Sequence, residues 1–233
     1  MEHSSQVFPA ELIKGCESAD ASLDATLDQF STAGRLRPVL FLGIDIGRKR
    51  DLTVAWTLER THTGALITRE VLVLDRVSFP EQEAILLPRV MAAAYTAIDA
   101  TGIGGPVSEH LAAALDDTRL EAVTFTADRK RELFERLKKA LQARAIQLPA
   151  AAVIRDDLGS LQRIVSPAGV IRYAAARTAD GHADRSTALA LALHASHRNP
   201  SAGCGAFAAH RLPTGLNSRH RPTLTRYRAA WSR

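Results

Sequence analysis

The sequence predicts an α/β domain built on a mixed sheet, with three antiparallel strands first and alternating strands and helices after them. Three apolar runs near the start are separated only by short polar turns, and strands joined by such short turns must be antiparallel. Further along, apolar runs alternate with segments of helical spacing, which indicates parallel strands with helices packed on the sheet. With 233 residues, 46% of them hydrophobic, the chain is long enough for one substantial core.

Each element follows from a local pattern. Pro106 suits the first position of a helix, and Leu133, Phe134, Leu137 and Leu141 recur with helical spacing. A short strand ends at Asp99, before a glycine-rich turn. The other strands are predicted at 39–46, 52–58, 66–77 and 121–125, a hairpin at 163–173, and helices at 81–94, 106–115, 127–143 and 184–196.

Charge divides the chain into three parts. Residues 1–38 hold six acids and three bases, whereas residues 197–233 hold seven arginines and no acid. We therefore predict a linker-like segment over 1–37, a folded domain over 38–197 and a basic, disordered tail over 198–233. The tail either contacts phosphate or is an extension without function. Two distant cysteines, no signal pattern and no apolar run of membrane length predict a cytoplasmic protein without a membrane partner.

Three acids stand in unusual settings. Asp45 lies in an apolar strand between Gly43 and Gly47, which share its face and predict an open floor for a metal and a phosphate. Asp99 ends a strand, and Asp184 opens an Ala/Leu-rich helix whose dipole favours an anion. Taken singly, each acid is also explained as an incidental turn residue or a cap. Together they predict one shared divalent-metal site, because buried carboxylates need a cation.

Four segments in this order resemble the nuclease domain of the large terminase subunit of tailed phages: FLGIDIGRKRDLTVAWTL, IDATGIGGPVSEHL, VTFTADRKRELFERLKKAL and GHADRSTALALALHA. The resemblance covers roughly residues 38–197. It implies an RNase H-like mixed sheet with helices on both faces. It also implies a metal-dependent endonuclease that cuts concatemeric double-stranded DNA during genome packaging. Asp45, Asp99 and Asp184 match the catalytic metal-binding acids of the family, and Asp51 matches an accessory acid.

The resemblance also implies a mechanism and partners. Two Mg²⁺ or Mn²⁺ ions would hydrolyse the phosphodiester, with Asp45 bridging them. Lys130 matches a basic helix position that faces DNA in the family, and it is also explained as a solvated surface charge. Arg48 and Lys49 are further candidates for DNA contact. The partners expected from the family are a small terminase subunit, a portal and a separate ATPase part, in the cytoplasm of a bacterial host.

Two alternatives and one departure remain at this point. The chain lacks a G-x-x-x-x-G-K-[ST] phosphate loop, so we expect no ATPase activity and interpret the chain as the nuclease half of a terminase. The segment FPAELIKGCESA resembles the linker that follows the motor. GIDIG also resembles a phosphate loop of the sugar kinase and actin superfamily, although Arg48 stands where Ser or Thr is usual. The other alternative is an inactive prophage remnant that binds DNA without cutting it.

Overall fold

The computed structural model describes residues 3–24, 38–47, 52–102, 104–113, 119–175 and 183–198, all within the compact unit Met1–Gly203. Arg48, Lys49, Asp51 and the expected tail after Arg198 lie outside the described residues. The described elements are, in chain order, β1 (His3–Gln6), α1 (Ala10–Lys14), β2 (Val39–Asp45), β3 (Thr53–Arg60), β4 (Leu66–Leu74), α2 (Phe79–Ala92), β5 (Tyr95–Asp99), α3 (Gly104–Ala113), β6 (Leu120–Val123), α4 (Ala127–Gln142), β7 (Ile146–Gln147), α5 (Ala152–Ser160), β8 (Gln162–Val165), β9 (Ile171–Ala174) and α6 (Asp184–Arg198).

The main sheet has the strand order β6-β5-β2-β3-β4-β7. β2 pairs antiparallel with β3, and β3 with β4, as the short polar turns predict. β5 pairs parallel with β2, β6 pairs parallel with β5, and the two-residue β7 joins parallel to β4. The predicted mixed sheet is therefore confirmed. Because β2, β5 and β6 are parallel, their C-terminal ends meet at one edge, where open α/β sheets usually carry their sites.

Helices cover both faces of this sheet, as predicted, because β2 is apolar on both of its faces. Leu42 and Ile44 pack with residues of α2 and α3. Phe41 points the other way and packs in the larger core with residues of α4, α5 and α6. Since successive side chains of a strand alternate between faces, Gly43 and Asp45 share the α6 face with Phe41. The strand thus delivers Asp45 to the side of the sheet that α6 covers.

The N-terminal segment differs from the expected linker. Strand β1 pairs antiparallel with β8 in a second sheet of order β1-β8-β9, which contains the predicted hairpin. Phe8 and Ile13 are buried in the larger core. Residues 3–24 therefore pack as part of the domain, which begins well before residue 38. These apolar residues belong to two short pairs, Val7–Phe8 and Leu12–Ile13, which are too brief to show a strand or helix period in the sequence.

Element boundaries show smaller differences. α3 begins at Gly104, two residues before the predicted start at Pro106, and α2 begins at Phe79, where Ser78 and Glu81 form a capping box. α5 was not predicted, because its only apolar repeat spans about one turn and is too short to stand out. Among the described helices, none combines the length and the apolar character needed to span a bilayer.

Candidate metal centre

β2 and β5 bring Asp45 and Asp99 to the same edge of the sheet. Parallel pairing matches Ile44 with Ile98, so Asp45 and Asp99 are the next residues on the two strands. Neighbouring strands lie roughly 4.8 Å apart, and side chains in register point to the same face. The two carboxyl groups are therefore neighbours on the face that α6 covers.

Helix α6 lies against β2 at Gly43. A Cβ atom at this position would lie 2.1 Å from the carbonyl oxygen of Ala188 and 2.2 Å from the nitrogen of Ala192. Both distances are far below van der Waals contact, so only glycine allows the helix to approach this closely. The predicted open floor beside Asp45 is thus wrong at Gly43, where the backbone of α6 fills the space. The glycine serves helix packing instead.

The crossing at Gly43 directs the N-terminal end of α6 towards the two acids. Asp184 lies four residues before Ala188, one turn nearer the helix start on the same face, and it is 4% exposed. Ala183, just before it, has a φ of 68°, a conformation that costs about 1–3 kcal/mol in a residue other than glycine. The backbone N–H and the hydroxyl of Thr187 both donate to the Ala183 carbonyl at 3.0 Å. Backbone strain is therefore concentrated next to Asp184.

The charges around Asp45 are mostly of its own sign. Burial raises the pKa of Asp45 well above its ordinary value, and the charges of Asp184, Asp99 and Asp157 raise it further, while Lys130 lowers it. A buried carboxyl group in such surroundings is stable when it is protonated or when it binds a cation. The structure thus brings together the three acids that were predicted to share a site.

A hydrogen-bonded turn fixes Asp99. Burial raises the pKa of Asp99, whereas hydrogen bonds from Thr101 and the charge of Lys130 lower it. The Thr101 N–H donates to the Asp99 carboxylate at 2.8 Å, and the Thr101 hydroxyl accepts from the Phe125 N–H at 2.9 Å. A Cβ at Gly104 would lie 1.9 Å from the Asp99 carbonyl oxygen. The glycine-rich turn therefore lets α3 begin directly against the end of β5.

A fourth acid, Asp157 of α5, was missed by the sequence analysis. Its buried carboxylate accepts from the Ser186 N–H and hydroxyl, both at 2.9 Å, and from the Arg185 N–H at 3.3 Å. The Arg185 guanidinium lies 3.5 Å from it. Asp157 thus satisfies N–H groups of the first turn of α6, which lack partners within the helix, and it holds the turn that carries Asp184. Its position three residues after the buried Ile154 was the only available signal in the sequence.

Lys130 supplies a positive charge that acts on Asp45 and Asp99. It lies on α4, its charge lowers the pKa of both Asp45 and Asp99, and its Nζ sits 5.3 Å from the centre of the Phe125 ring. The charge of Lys130 therefore acts on the acids, and its contact with DNA stays a prediction. Arg48, Lys49 and Asp51 cannot be placed in the same way, because they lie outside the described residues.

Comparison with known proteins gives the family. The sequence model of the protein family described as the terminase RNase H-like domain matches residues 42–196. The chain belongs to this family. The match runs from β2 to α6 and includes Asp45, Asp99 and Asp184, so the resemblance seen in the sequence is confirmed. No curated protein matches this terminase RNase H-like domain.

Solved structures share the fold of this terminase domain. The large terminase nuclease of thermophilic phage G20c with bound magnesium is 20% identical, with a TM-score of 0.61 over 81% of this chain and 96% of that one. The large terminase nuclease domain of Thermus phage P74-26 is 19% identical, with a TM-score of 0.61 over 81% and 94%. The nuclease domain of the large terminase of bacteriophage SPP1 with bound manganese is 14% identical, with a TM-score of 0.51 over 76% and 93%. The RNase H-like fold is thereby confirmed.

The oxygen donors of this terminase domain suit a hard divalent cation. Carboxylates are the ligands that Mg²⁺ and Mn²⁺ prefer, and burial among like charges favours a cation at Asp45. Across the described ranges, no three acidic, histidine or cysteine side chains surround a single point. An ion held by these acids would complete its coordination with water, as Mg²⁺ usually does.

Proposed function

We propose that this chain is a metal-dependent DNA endonuclease of the phage terminase type. It cuts concatemeric double-stranded DNA during genome packaging, by two-metal phosphodiester hydrolysis. Family membership supports the class of enzyme. The observation that carries the proposal is the convergence of Asp45, Asp99 and Asp184 at one corner of the sheet, with Asp45 buried among like charges. Such a group of acids is costly to fold without a cation.

The three acids divide the metal-binding work between them. Asp45 of the central strand would contact both ions, with Asp99 completing one site and Asp184 the other, and each ion would touch two acids. Bound divalent ions supply an activated water at neutral pH and stabilise the leaving 3′ oxygen. Two divalent ions would carry more positive charge than the three carboxylates carry negative charge. They would therefore offset the repulsion among the acids and leave positive charge for the phosphate.

Lys130 would hold the phosphate that is cut. Its ammonium group faces Asp45 and Asp99 from α4, so it is near the acids without being a ligand. A compact ammonium is a suitable point charge for a phosphate oxygen. Asp157 is a positioning residue in this scheme, because it binds the first turn of α6 and thereby sets where Asp184 lies. Arg48 and Lys49 stay proposed DNA contacts, and Asp51 a proposed accessory ligand.

The partners proposed for this chain follow from the family. They are double-stranded DNA, a small terminase subunit, a portal and a separate ATPase part, in the cytoplasm of a bacterial host. The large terminase of bacteriophage HK97 shares the fold over 82% of this chain and 44% of its own length, at 10% identity and a TM-score of 0.56. That protein is therefore longer than the part it has in common with this chain.

Plasmid nicking in Mn²⁺ tests the proposal. Asp45→Asn keeps the shape of the side chain but removes the charge that would bridge the ions. Metal-ion catalysis supplies several kcal/mol, and about 4 kcal/mol corresponds to roughly a thousandfold in rate, so nicking should fall about a thousandfold. Asp20→Asn is the matched control, because Asp20 is exposed and outside the cluster, and this variant should cut at the wild-type rate.

Metal binding gives a second readout that does not depend on cutting. A ligand that binds only the folded state raises the melting temperature, and it raises it more the more tightly it binds. Mn²⁺ should therefore raise the melting temperature of the wild type and of Asp20→Asn, and raise that of Asp45→Asn much less. Wild-type cutting by Asp45→Asn would exclude this site. DNA binding without cutting by the wild type would favour the inactive remnant.

A further inference from the structure

A basic pocket lies between α4 and α6, apart from Asp45, Asp99 and Asp184, which we call the acid cluster. It is lined by Arg129, Glu132 and Arg136 of α4 and by His194, His197 and Arg198 of α6. On α4 these positions are spaced three and four residues apart, as they are on α6, so each helix presents one face to the pocket. Every lining side chain is polar or charged. We call this group the basic pocket.

The floor of the basic pocket is a buried, neutral histidine. His194 is 3% exposed, and its Nε2 lies 3.0 Å from the Glu121 carboxylate. Its Nδ1 lies 3.2 Å from the Arg136 guanidinium. A guanidinium can only donate and a carboxylate can only accept, so Nδ1 accepts from Arg136 and Nε2–H donates to Glu121. The Arg129 guanidinium, which also lies 3.1 Å from Nε2, donates to Glu121 instead. Burial lowers the pKa of His194, in agreement with a neutral ring. The histidine therefore positions Arg136 without adding charge.

The arginines outnumber the carboxylates around the basic pocket. Arg129 and Arg198 both donate to Glu121, and Arg129 and Arg136 both donate to Glu132. Arg60 also lies near His197, whose pKa its charge helps to lower. Three guanidinium groups of the basic pocket thus face two carboxylates, which leaves one positive charge, and Arg60 adds a further charge nearby. Each arginine carries five N–H donors in a planar fork, so donors remain for an anion with several oxygens.

The basic pocket lies at a distance from the acid cluster that fits a DNA backbone. His194 and Arg198 follow Asp184 by ten and fourteen residues on α6, which corresponds to about 15 and 21 Å of helix. DNA carries one phosphate per strand every 3.4 Å along its axis, so this distance spans roughly four to six base pairs. On α4, Arg129 faces the basic pocket while its neighbour Lys130 faces the acids. A duplex in contact with one group thus passes the other.

We propose that the basic pocket binds a backbone phosphate of DNA, several base pairs from the phosphate at the acid cluster, and so sets the angle at which the duplex enters. The identity of the polyanion rests on the proposed function, but the site itself is made of other residues. The arginine fork suits a phosphate oxygen pair, which a lysine binds only as a point charge. The pocket would carry no chemistry, and its contribution would be affinity and orientation.

Binding of a fluorescent 20-base-pair duplex in a chelator, followed by anisotropy over a range of salt, tests the proposal. Arg136→Gln and the more exposed Arg198→Gln should each weaken binding roughly tenfold at low salt and reduce the salt slope by about one. Glu132→Gln should tighten binding, since it removes a negative charge from the pocket. Arg131→Gln is the matched control, because Arg131 is on the same helix, pairs with Asp128 and does not line the pocket.

The outcomes distinguish DNA from free phosphate as the ligand of the basic pocket, and they distinguish failure of this proposal from failure of the proposed function. Equal losses in Arg136→Gln and Arg131→Gln, with no gain in Glu132→Gln, would overturn the pocket in favour of general charge attraction. The melting temperature of each protein is also measured with and without inorganic phosphate. If Arg136→Gln and Arg198→Gln keep their DNA affinity but lose the rise in melting temperature caused by phosphate, the pocket binds free phosphate and the DNA proposal is overturned. If the pocket variants bind DNA more weakly but the wild-type protein does not cut DNA, the basic pocket is supported and the nuclease proposal is refuted.

Discussion

The two ends of α6 carry groups of opposite charge, and those groups are neutralised differently. At the N-terminal end, Asp184 joins Asp45 and Asp99, and the carboxylates raise the pKa of Asp45. At the C-terminal end, Arg198 belongs to a network in which Glu121 accepts from two arginines and the imidazole of His194. Both placements agree with the helix dipole, which favours anions at the start and cations at the end.

The difference shows which end requires a ligand. Carboxylates buried together destabilise the folded state until a cation arrives, and such a cost persists where function needs it. The basic pocket is already balanced to within one charge, because three arginines face two carboxylates, and it is partly open to water. Its ligand therefore adds affinity but is not needed for folding. In the two proposals, the same helix thus carries one site that would depend on metal and one that would position a polyanion.

The largest effect is expected from Gly43→Ala, which would separate α6 from the sheet. The new methyl group would lie 2.1 Å from the Ala188 oxygen, and overpacking of this kind costs about 1–3 kcal/mol or more. We expect a lower melting temperature and loss of plasmid nicking, because Asp184 would move away from Asp45. Gly105→Ala is the control, since its nearest heavy atom would be an ordinary 3.8 Å away. Equal stability of the two variants would contradict the close crossing.

Asp157→Ala should affect the acid end next most strongly. It would leave the N–H groups of Ser186 and Arg185 without their acceptor, and a buried unsatisfied donor costs about 1–3 kcal/mol. We expect reduced stability and reduced nicking in Mn²⁺, while Asp157→Asn, which keeps one acceptor oxygen, should recover part of both. The exposed neighbour Asp156 provides the control Asp156→Ala. If Asp157→Ala cut at the wild-type rate, Asp157 would have no role in positioning Asp184.

Removal of residues 199–233 tests the basic end while all residues that line the basic pocket are retained. The deleted segment holds six arginines, and each neutralised phosphate contributes about 0.9 to the salt slope of binding to duplex DNA. We expect the slope of log affinity against log salt to become shallower by as much as about five, with Arg198 retained. Anisotropy on the same duplex measures this change. An unchanged slope would assign all phosphate contacts to the folded domain.

The smallest effect is a gain in stability from Asp45→Asn without metal. The pKa of Asp45 in the folded state is raised above its ordinary value of 3.8. Between these two pKa values the folded state binds more protons than the unfolded state, so stability falls as the pH rises across that range. Asn removes this loss, so at pH 8 in a chelator the variant should gain about 1 kcal/mol, or roughly 2–4 °C. The gain should shrink as the pH falls towards 4. A less stable variant would mean that Asp45 is structural.

Local patterns in the sequence were sufficient for most of the elements and for the three acids. Apolar alternation predicted β2 and β3, and short turns predicted their antiparallel pairing, because both signals act over a few residues. Asp45, Asp99 and Asp184 were recognisable because each carboxylate stands inside or at the end of an apolar segment, where a charge is costly. The resemblance over the same segments predicted the RNase H-like fold, which the structural neighbours confirm.

Only the tertiary structure decided how the helices complete the site. Gly43 looked like open space in the sequence, whereas the backbone of α6 occupies that space. Asp157, His194 and Glu121 come from three separate elements, and their contacts join residues 29 to 73 positions apart. Phe8 of the N-terminal segment likewise reaches the core through packing that no local pattern records. The physical reason is the same in each case: buried contacts between distant segments depend on the shape of the folded chain, which periodicity and spacing do not describe.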